Sequence, residues 1–216
     1  MCIRDRSPGA FAAKELVLTM RGAHIQARAA PSTGSAPPDA QTLGSVSSPQ
    51  MSTLVRLMNV PSDDFFAEML TKQLGVRSGA DGSIAAGAKV IGSVISRYGL
   101  HPAIIDGSGL SRDDRSSPAE FVHLLRALWG TPGGRTLIAS LPLVGVNGTT
   151  RHIGVGTVAQ GRCVAKTGTL NQVTNLAGYC HADRHHELAF AVFLDGPDNH
   201  RGIQLLSRMV AALVRY

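Results

Sequence analysis

The last third of the chain carries three strand-like runs in succession, and no other feature restricts the fold as much. Residues 162–169, 174–181 and 187–194 favour β-structure and are separated only by short turns. Residues 200–216 predict an amphipathic helix with one apolar face, formed by Ile203, Leu206, Val210 and Leu213. Strands joined by such short connections pair antiparallel. This segment therefore predicts an antiparallel meander with a helix packed across it.

The preceding residues predict helices. Apolar side chains recur there at helical spacing, and Pro61 interrupts the pattern once. Ser117 followed by Pro118 and by Glu120 is a strong helix-start signal. The predicted helices cover residues 11–26, 51–58, 65–75, 83–98, 117–129 and 135–140.

This order of elements predicts an α+β fold, in which helices flank one antiparallel sheet, rather than alternating βαβ units. Residues 11–50 form a helix and a loop-rich stretch with a short strand expected at 41–45, residues 51–160 are mainly helical, and residues 161–216 hold the strands and last helix. The first ten residues are interpreted as a non-native leader.

Composition excludes several classes of protein. With 44% apolar and 17% charged residues, the chain is globular, and no run approaches the roughly 18 to 20 apolar residues that cross a bilayer. The first residues lack the apolar run of a secretory signal. The 21 basic residues exceed the 15 acidic ones but are scattered, which argues against nucleic-acid binding.

A chemical motif, Lys166-Thr167-Gly168-Thr169, lies in the first predicted strand. The lysine and the Thr167 hydroxyl can bind a substrate carboxylate, and Gly168 allows a close approach of the substrate backbone. The N–H of Thr169 can point at a developing oxyanion. These are the needs of acyl transfer, although a surface strand with a lysine near a turn has the same sequence.

A second motif, Ser62-Asp63-Asp64, precedes the first by about a hundred residues. Ser62 can move a proton between a leaving amine and basic groups, and Asp64 can accept hydrogen bonds from a lysine or a substrate amide. The alternative is structural. Ser62-Asp63-Asp64 followed by Glu68 is also typical of a helix N-cap with acidic residues in the first turn.

The usual nucleophilic motif of such a site, Ser-x-x-Lys, is absent from this sequence. The residues three positions before its four lysines are Phe11, Met69, Ala86 and Cys163. On these motifs, the chain has the sequence of an acyl-transfer enzyme without its nucleophile.

Two further groups of residues have competing interpretations. Cys163 and Cys180 face each other if a hairpin turns at residues 171–172, so they form either a disulfide or two buried thiols. A zinc site and solvated turn residues are the alternatives for a cluster in the next turn, and the solvated turn is favoured. Its members are His181, Asp183, His185 and His186.

Four ordered runs, VPSDDFFAEMLTKQLG, IIDGSGLSRDDRSSP, SLPLVGVNGTTR and VAKTGTLNQVTNLAGY, resemble D-alanyl-D-alanine carboxypeptidases and endopeptidases of the class C low-molecular-mass penicillin-binding type. The resemblance covers most of residues 48–216. It implies the penicillin-recognising serine transpeptidase/β-lactamase-like fold, here incomplete. In that family Ser-x-x-Lys lies far upstream, so the chain is expected to be the C-terminal part of the catalytic domain.

The resemblance also implies roles for the motif residues. Ser62 would assist proton transfer, Lys166, Thr167 and Gly168 would bind the terminal D-alanine carboxylate, and Thr169 would give an oxyanion N–H. Asp64 departs from the family's asparagine, since a carboxylate lacks the amide donor and adds a charge near lysines. For residues 106–109, a turn near the floor of the site is favoured over a phosphate-binding loop, because no G-x-G-x-x-G or Walker spacing follows. The charged run 112–115 is expected to be a solvated charge cluster or local ion pairs, and the resemblance places it close to the cleft.

The function implied is cleavage of peptidoglycan stem peptides through an acyl-enzyme, with β-lactams as inhibitors, no metal or organic cofactor, and a periplasmic or other extracytoplasmic location. Two alternatives remain at this point. One is a β-lactamase of the same fold, and the other is a nucleophile-free protein that only binds peptidoglycan.

Overall fold

The computed structural model describes residues 7–26, 30, 32, 34–42, 44–196 and 198–216. Within it the chain divides into two compact units, Met1–Ser48 and Pro49–Tyr216. No helix in the described ranges is long and apolar enough to cross a membrane.

Among the described residues of the first unit there is one helix, α1, at Pro8–Gly22. It begins three residues before the predicted start because Pro8 lies in the first turn, where the missing N–H of proline costs no hydrogen bond. The strand expected at 41–45 is wrong for its described residues, 41, 42, 44 and 45, which form no strand. Residues 1–6 of the expected leader lie outside the described residues.

The second unit has five helices before its sheet, and each predicted helix of this region is confirmed with shifted ends. They are α2 at Met51–Asn59, α3 at Asp64–Arg77, α4 at Ile84–Ser96, α5 at Pro118–Leu128 and α6 at Pro132–Ser140. The Ser117 hydroxyl and the Glu120 carboxylate cap α5 reciprocally, as the sequence predicts. Helix α6 begins earlier than expected because the Thr131 hydroxyl caps it by accepting from Gly134 N–H.

The predicted meander is confirmed as a three-stranded antiparallel sheet in the order β1-β2-β3. The strands are β1 at Cys163–Leu170, β2 at Val173–His181 and β3 at Glu187–Asp195. A two-residue turn joins β1 to β2, with Gln172 at φ 61°. Cys163 pairs with Cys180 across β1 and β2, and the two form a disulfide, which settles the alternative left open by the sequence.

The sheet lies between two layers of helix, as expected for an α+β fold. On one face the last helix, α7 at Asn199–Val214, buries its apolar side against β2. The core on that side includes Leu176, Leu206, Val210, Val214 and the disulfide. On the other face α5 packs against β3, and the buried hydroxyl of Tyr179 in β2 donates to Leu125 O of α5 at 2.8 Å. The sheet is thereby supported from both sides, which fixes the strand that carries Lys166.

Candidate functional site

Ser62 lies in the short turn between α2 and α3. Its N–H donates to Asn59 O at 3.3 Å, and its φ of 58° falls in the left-handed region that non-glycine residues rarely adopt. The residue that caps α3 is Asp63, whose carboxylate accepts from Phe66 N–H at 2.9 Å. The run Ser62-Asp63-Asp64 thus caps the helix through Asp63, with Asp64 in the first turn, and the Ser62 hydroxyl has another partner.

That partner is Lys166. The Lys166 ammonium donates to Ser62 Oγ at 2.6 Å and to Thr167 O at 2.8 Å, so residues 104 positions apart in the sequence are joined directly. Lys166 lies in β1 and its side chain is half-buried. The structure thus brings together the two motifs that the sequence singled out.

Burial and neighbouring charge have opposite effects on the pKa values of Lys166 and Asp64. Removal of Lys166 from water lowers the pKa of its ammonium, while the nearby negative charge of Asp64 raises it. Burial raises the pKa of the Asp64 carboxyl and Lys166 lowers it, with Asp63, Asp106 and Glu68 each raising it further. Asp64 therefore feels the charge of three neighbouring carboxyls as well as that of Lys166.

The rest of the Lys-Thr-Gly-Thr motif follows along the open edge of β1. Ala165 N–H donates away from β2, to Pro142 O at 3.0 Å. Because backbone groups alternate in direction with a period of two residues, the N–H of Thr169 also points away from β2. A Cβ built on Gly168 would meet only Asn175, at 3.6 Å, so packing does not require glycine at this exposed position.

Sequence reasoning missed one residue of this site, Thr149. It lies in a single 3-10 turn, Gly148–Thr150, and its hydroxyl accepts a hydrogen bond from Thr167 Oγ1 at 2.7 Å. The run SLPLVGVNGTTR contributed to the family resemblance, but nothing in its spacing singled out this threonine. Only the fold brings the hydroxyl to β1.

The loop at 106–109 is held by hydrogen bonds to its own backbone and to helix α3. The Asp106 carboxylate accepts from Gly109 N–H at 2.6 Å and from Ser111 N–H at 2.7 Å. Glu68 accepts from the Ser108 hydroxyl at 2.6 Å. A Cβ on Gly107 would come within 1.8 Å of Thr71 Oγ1, so only glycine permits this close approach.

Arg112, in the charged run that follows, donates to Asn171 O at 2.9 Å. This bond joins the run to the turn between β1 and β2, beyond Thr169. The resemblance expected the run close to the cleft, and this contact lies at the end of the strand that carries the motif.

The histidine cluster of the sequence analysis does not form a metal centre in the described residues. His181 Nδ1 lies 2.6 Å from Glu187 Oε1, and Asp183 accepts from Arg162 at 2.9 Å. Across the described part of the chain, no group of three or more His, Cys, Asp or Glu is arranged to bind a metal ion.

The fold is shared with penicillin-recognising proteins. Penicillin-binding protein 4 from Haemophilus influenzae, solved with a β-lactam, matches with a TM-score of 0.80 and 24% identity over 97% of this chain and 52% of that one. An extended-spectrum β-lactamase matches with a TM-score of 0.59 and 15% identity, over 76% of this chain and 63% of that one. The predicted fold class is confirmed.

The family is narrower than the fold. The model of the D-Ala-D-Ala carboxypeptidase 3 (S13) family matches residues 1–216, and the chain belongs to that family. A D-alanyl-D-alanine carboxypeptidase from Actinomadura sp. is 31% identical over 186 residues, which cover 82% of this chain and 34% of that protein. The chain thus spans about a third of the length of this relative.

Proposed function

We propose that this chain forms the substrate-binding side of a serine-type D-Ala-D-Ala carboxypeptidase or endopeptidase, which cleaves peptidoglycan stem peptides through an acyl-enzyme. The observation that carries the proposal is the hydrogen bond of 2.6 Å between Lys166 Nζ and Ser62 Oγ. It joins a cation suited to a carboxylate with a hydroxyl suited to proton transfer. Membership of the carboxypeptidase family supports this reaction over that of a β-lactamase.

In this proposal β1 binds the end of the stem peptide. The Lys166 ammonium and the Thr167 hydroxyl bind the carboxylate of the terminal D-alanine, and the exposed Gly168 leaves room for the peptide backbone. The Thr169 N–H, on the open edge of the strand, donates to the oxyanion that develops at the scissile carbonyl. All four groups come from consecutive residues, so a single strand orients them.

Ser62 moves the proton. It accepts a hydrogen bond from Lys166, and burial lowers the pKa of that ammonium, so Lys166 gives up its proton more readily than an exposed lysine does. The Ser62 hydroxyl can accept this proton and pass its own to the leaving D-alanine amine. The left-handed backbone at Ser62 directs the hydroxyl towards β1 rather than back onto helix α3.

Asp64 modulates this site through its charge. When ionised, it attracts the Lys166 ammonium and competes with the substrate carboxylate, and when protonated it resembles asparagine in offering both a donor and an acceptor. Its pKa is raised by burial and by three neighbouring carboxyls, which favours the protonated form. We therefore infer that Asp64 tunes substrate binding without removing it.

The expected partners follow from this reaction. They are peptidoglycan stem peptides as substrates and β-lactams as inhibitors, since the β-lactam ring imitates the D-Ala-D-Ala unit. Penicillin-binding protein 4 of H. influenzae, which shares the fold, was solved with a β-lactam bound. A cell-wall substrate implies an extracytoplasmic location, and the proposed chemistry uses no metal or organic cofactor.

A receptor that binds stem peptides without cleaving them is the second candidate. The observation in its favour is that no serine stands three positions before any of the four lysines. Both candidates predict peptide binding by this chain, and both predict that the chain alone releases no D-alanine. Release of D-alanine by the chain alone would contradict both and would require a nucleophile other than Ser-x-x-Lys.

The proposal is tested by calorimetric binding of an N-acetylated peptide ending in D-Ala-D-Ala. Lys166→Met is expected to weaken binding on the order of 100-fold, because a desolvated charge pair with the carboxylate is lost. Lys89→Met, at an exposed position on α4, is the matched control and should leave the affinity unchanged. Equal affinities for the two variants would contradict the proposed carboxylate site.

A further inference from the structure

The hydroxyls of Thr167, which follows Lys166 in the strand, and Thr149 form a pair. Thr167 Oγ1 and Thr149 Oγ1 are 2.7 Å apart, and both side chains are half-buried. Thr167 belongs to β1, while Thr149 comes from the 3-10 turn that precedes the strand by a dozen residues. The pair therefore links a residue of the proposed carboxylate site to a loop outside it.

The backbone of this loop is fixed next to the turn that carries Ser62. Thr149 N–H donates to Val60 O at 3.2 Å. A Cβ on Gly148 would lie 2.5 Å from the same oxygen, so the approach of the two segments depends on glycine. Asn147 closes the loop by accepting from Leu143 N–H at 2.8 Å. Thr149 is thus presented to β1 by a constrained backbone that also contacts the Ser62 turn.

A hydroxyl has one donor and two acceptor positions, and its proton rotates to suit its neighbours. A pair of hydroxyls uses one of its two protons internally and leaves the other free. If Thr149 donates to Thr167, the free proton is that of Thr167, which can then donate to a carboxylate. If Thr167 donates to Thr149, as it does in the structure, it presents lone pairs, which repel a carboxylate.

We propose that Thr149 is a positioning residue: when the terminal carboxylate binds, the hydroxyl protons rotate so that Thr149 donates to Thr167, and Thr167 donates to the carboxylate. Thr149 itself does not contact the substrate. The inference rests on the proposed function, in which Thr167 binds that carboxylate. It assigns to the 3-10 turn Gly148–Thr150 a part in selecting peptides with a free C-terminus.

The experiment compares two ligands, an N-acetylated peptide ending in D-Ala-D-Ala and the same peptide with a C-terminal amide. Thr149→Val keeps the shape of the side chain and removes the hydroxyl. It is expected to lower the affinity for the carboxylate peptide about fivefold, the effect of losing one net hydrogen bond, and to leave the affinity for the amide unchanged. Thr149→Ser should restore the preference for the carboxylate.

The adjacent Thr150 provides the matched control. It is fully buried and its hydroxyl donates to Asn147 O at 3.2 Å, away from Thr167. Thr150→Val should lower the unfolding midpoint without changing the ratio of carboxylate to amide affinity. A purely structural role of Thr149 would give the same result at both positions, so this ratio separates positioning from stability.

The outcomes separate the inference from the function on which it rests. If the natural chain prefers the carboxylate and Thr149→Val keeps that preference in full, the inference alone is overturned. If the natural chain binds both peptides equally, the proposed carboxylate site is overturned and the inference with it. Should Thr149→Val fail to fold, Thr149→Ser and Thr149→Ala differ by only the hydroxyl, and equal ligand preference in these two variants would also overturn the inference.

Discussion

Lys166 comes to the site from a strand that is bonded on both edges near its start, whereas Ser62 comes from a short turn between two helices. At the beginning of β1, Cys163 O accepts from Val144 N–H at 2.9 Å on one edge, and the disulfide to Cys180 joins β2 on the other. Ser62 is held by one backbone bond of 3.3 Å and adopts a left-handed conformation.

The strand side and the turn side of the site also differ in charge. The strand side contributes one cation, Lys166, whereas Asp64 on the turn side is influenced by three further carboxyls, those of Asp63, Glu68 and Asp106. This difference indicates that the two sides contribute to the proposed function in different ways. In the proposed function, the strand sets where the substrate end binds, and the turn side sets the protonation of the groups that act on it.

Loss of the disulfide should produce the largest change on the strand side. Replacing both partners, Cys163→Ala together with Cys180→Ala, is expected to lower the free energy of unfolding by about 3 kcal/mol, because a cross-link that spans 17 residues no longer restricts the unfolded chain. Chemical denaturation measures this. Added reductant should destabilise the natural chain and have no effect on the double variant, and a reductant-insensitive natural chain would contradict the prediction.

Two glycines of the sheet distinguish folding from binding. A Cβ on Gly178 would come within 2.1 Å of Val164 O, so Gly178→Ala should force β1 and β2 apart and lower the free energy of unfolding by about 2 kcal/mol. Gly168→Ala meets no such obstacle and should change stability by less than about 0.5 kcal/mol.

Peptide binding should be sensitive to Gly168 even though stability is not. We expect Gly168→Ala to weaken binding of the D-Ala-D-Ala peptide, because its methyl group projects where the peptide backbone approaches. Urea unfolding and calorimetry on the same samples provide the comparison. Full peptide affinity in Gly168→Ala would contradict the use of this strand as the binding edge.

Asp64 gives the smallest effect, and it depends on pH. The pKa of Asp64 is raised, so as pH falls this carboxyl is protonated before an ordinary aspartate would be, and its competition for Lys166 ends. Affinity for the carboxylate peptide should therefore rise several-fold as pH falls through that raised pKa, while the peptide carboxylate stays ionised.

Asp64→Asn removes the titrating group and should bind at neutral pH as strongly as the natural chain does in mild acid. Asp63→Asn is the matched control, because asparagine caps helices as well as aspartate does, and it should keep most of the pH dependence. Affinities measured across the pH range test this. A pH profile that is the same in Asp64→Asn and in the natural chain would refute the role of Asp64.

The sequence predicted the strand side better than the turn side, for physical reasons. Strand-like runs separated by short turns located all three strands, and helix signals such as Ser117 with Glu120 are local, so both could be recognised without the fold. The backbone angle of Ser62 is not encoded in its neighbours, so the sequence did not decide which residue of Ser62-Asp63-Asp64 caps the helix.

Contacts between segments that are distant in the sequence could not be predicted either. The Lys-Thr-Gly-Thr motif could be recognised in the sequence, but its bond to Ser62 and the pairing of Thr167 with Thr149 depend on how loops and strands meet. The disulfide could be predicted only in part. The spacing of Cys163 and Cys180 allowed it, and only the register of β1 and β2 decided between a bridge and two free thiols.

The most direct test of the Ser62–Lys166 pair is the titration of Lys166 by NMR, with lysine labelled at Cε and the signal assigned from Lys166→Met. The account predicts that Lys166 titrates below the ordinary lysine pKa of about 10.4 and that Asp64→Asn lowers the pKa of Lys166 further, because the charge of Asp64 raises it. A Lys166 signal that titrates at the ordinary value and does not respond to Asp64→Asn would contradict the account.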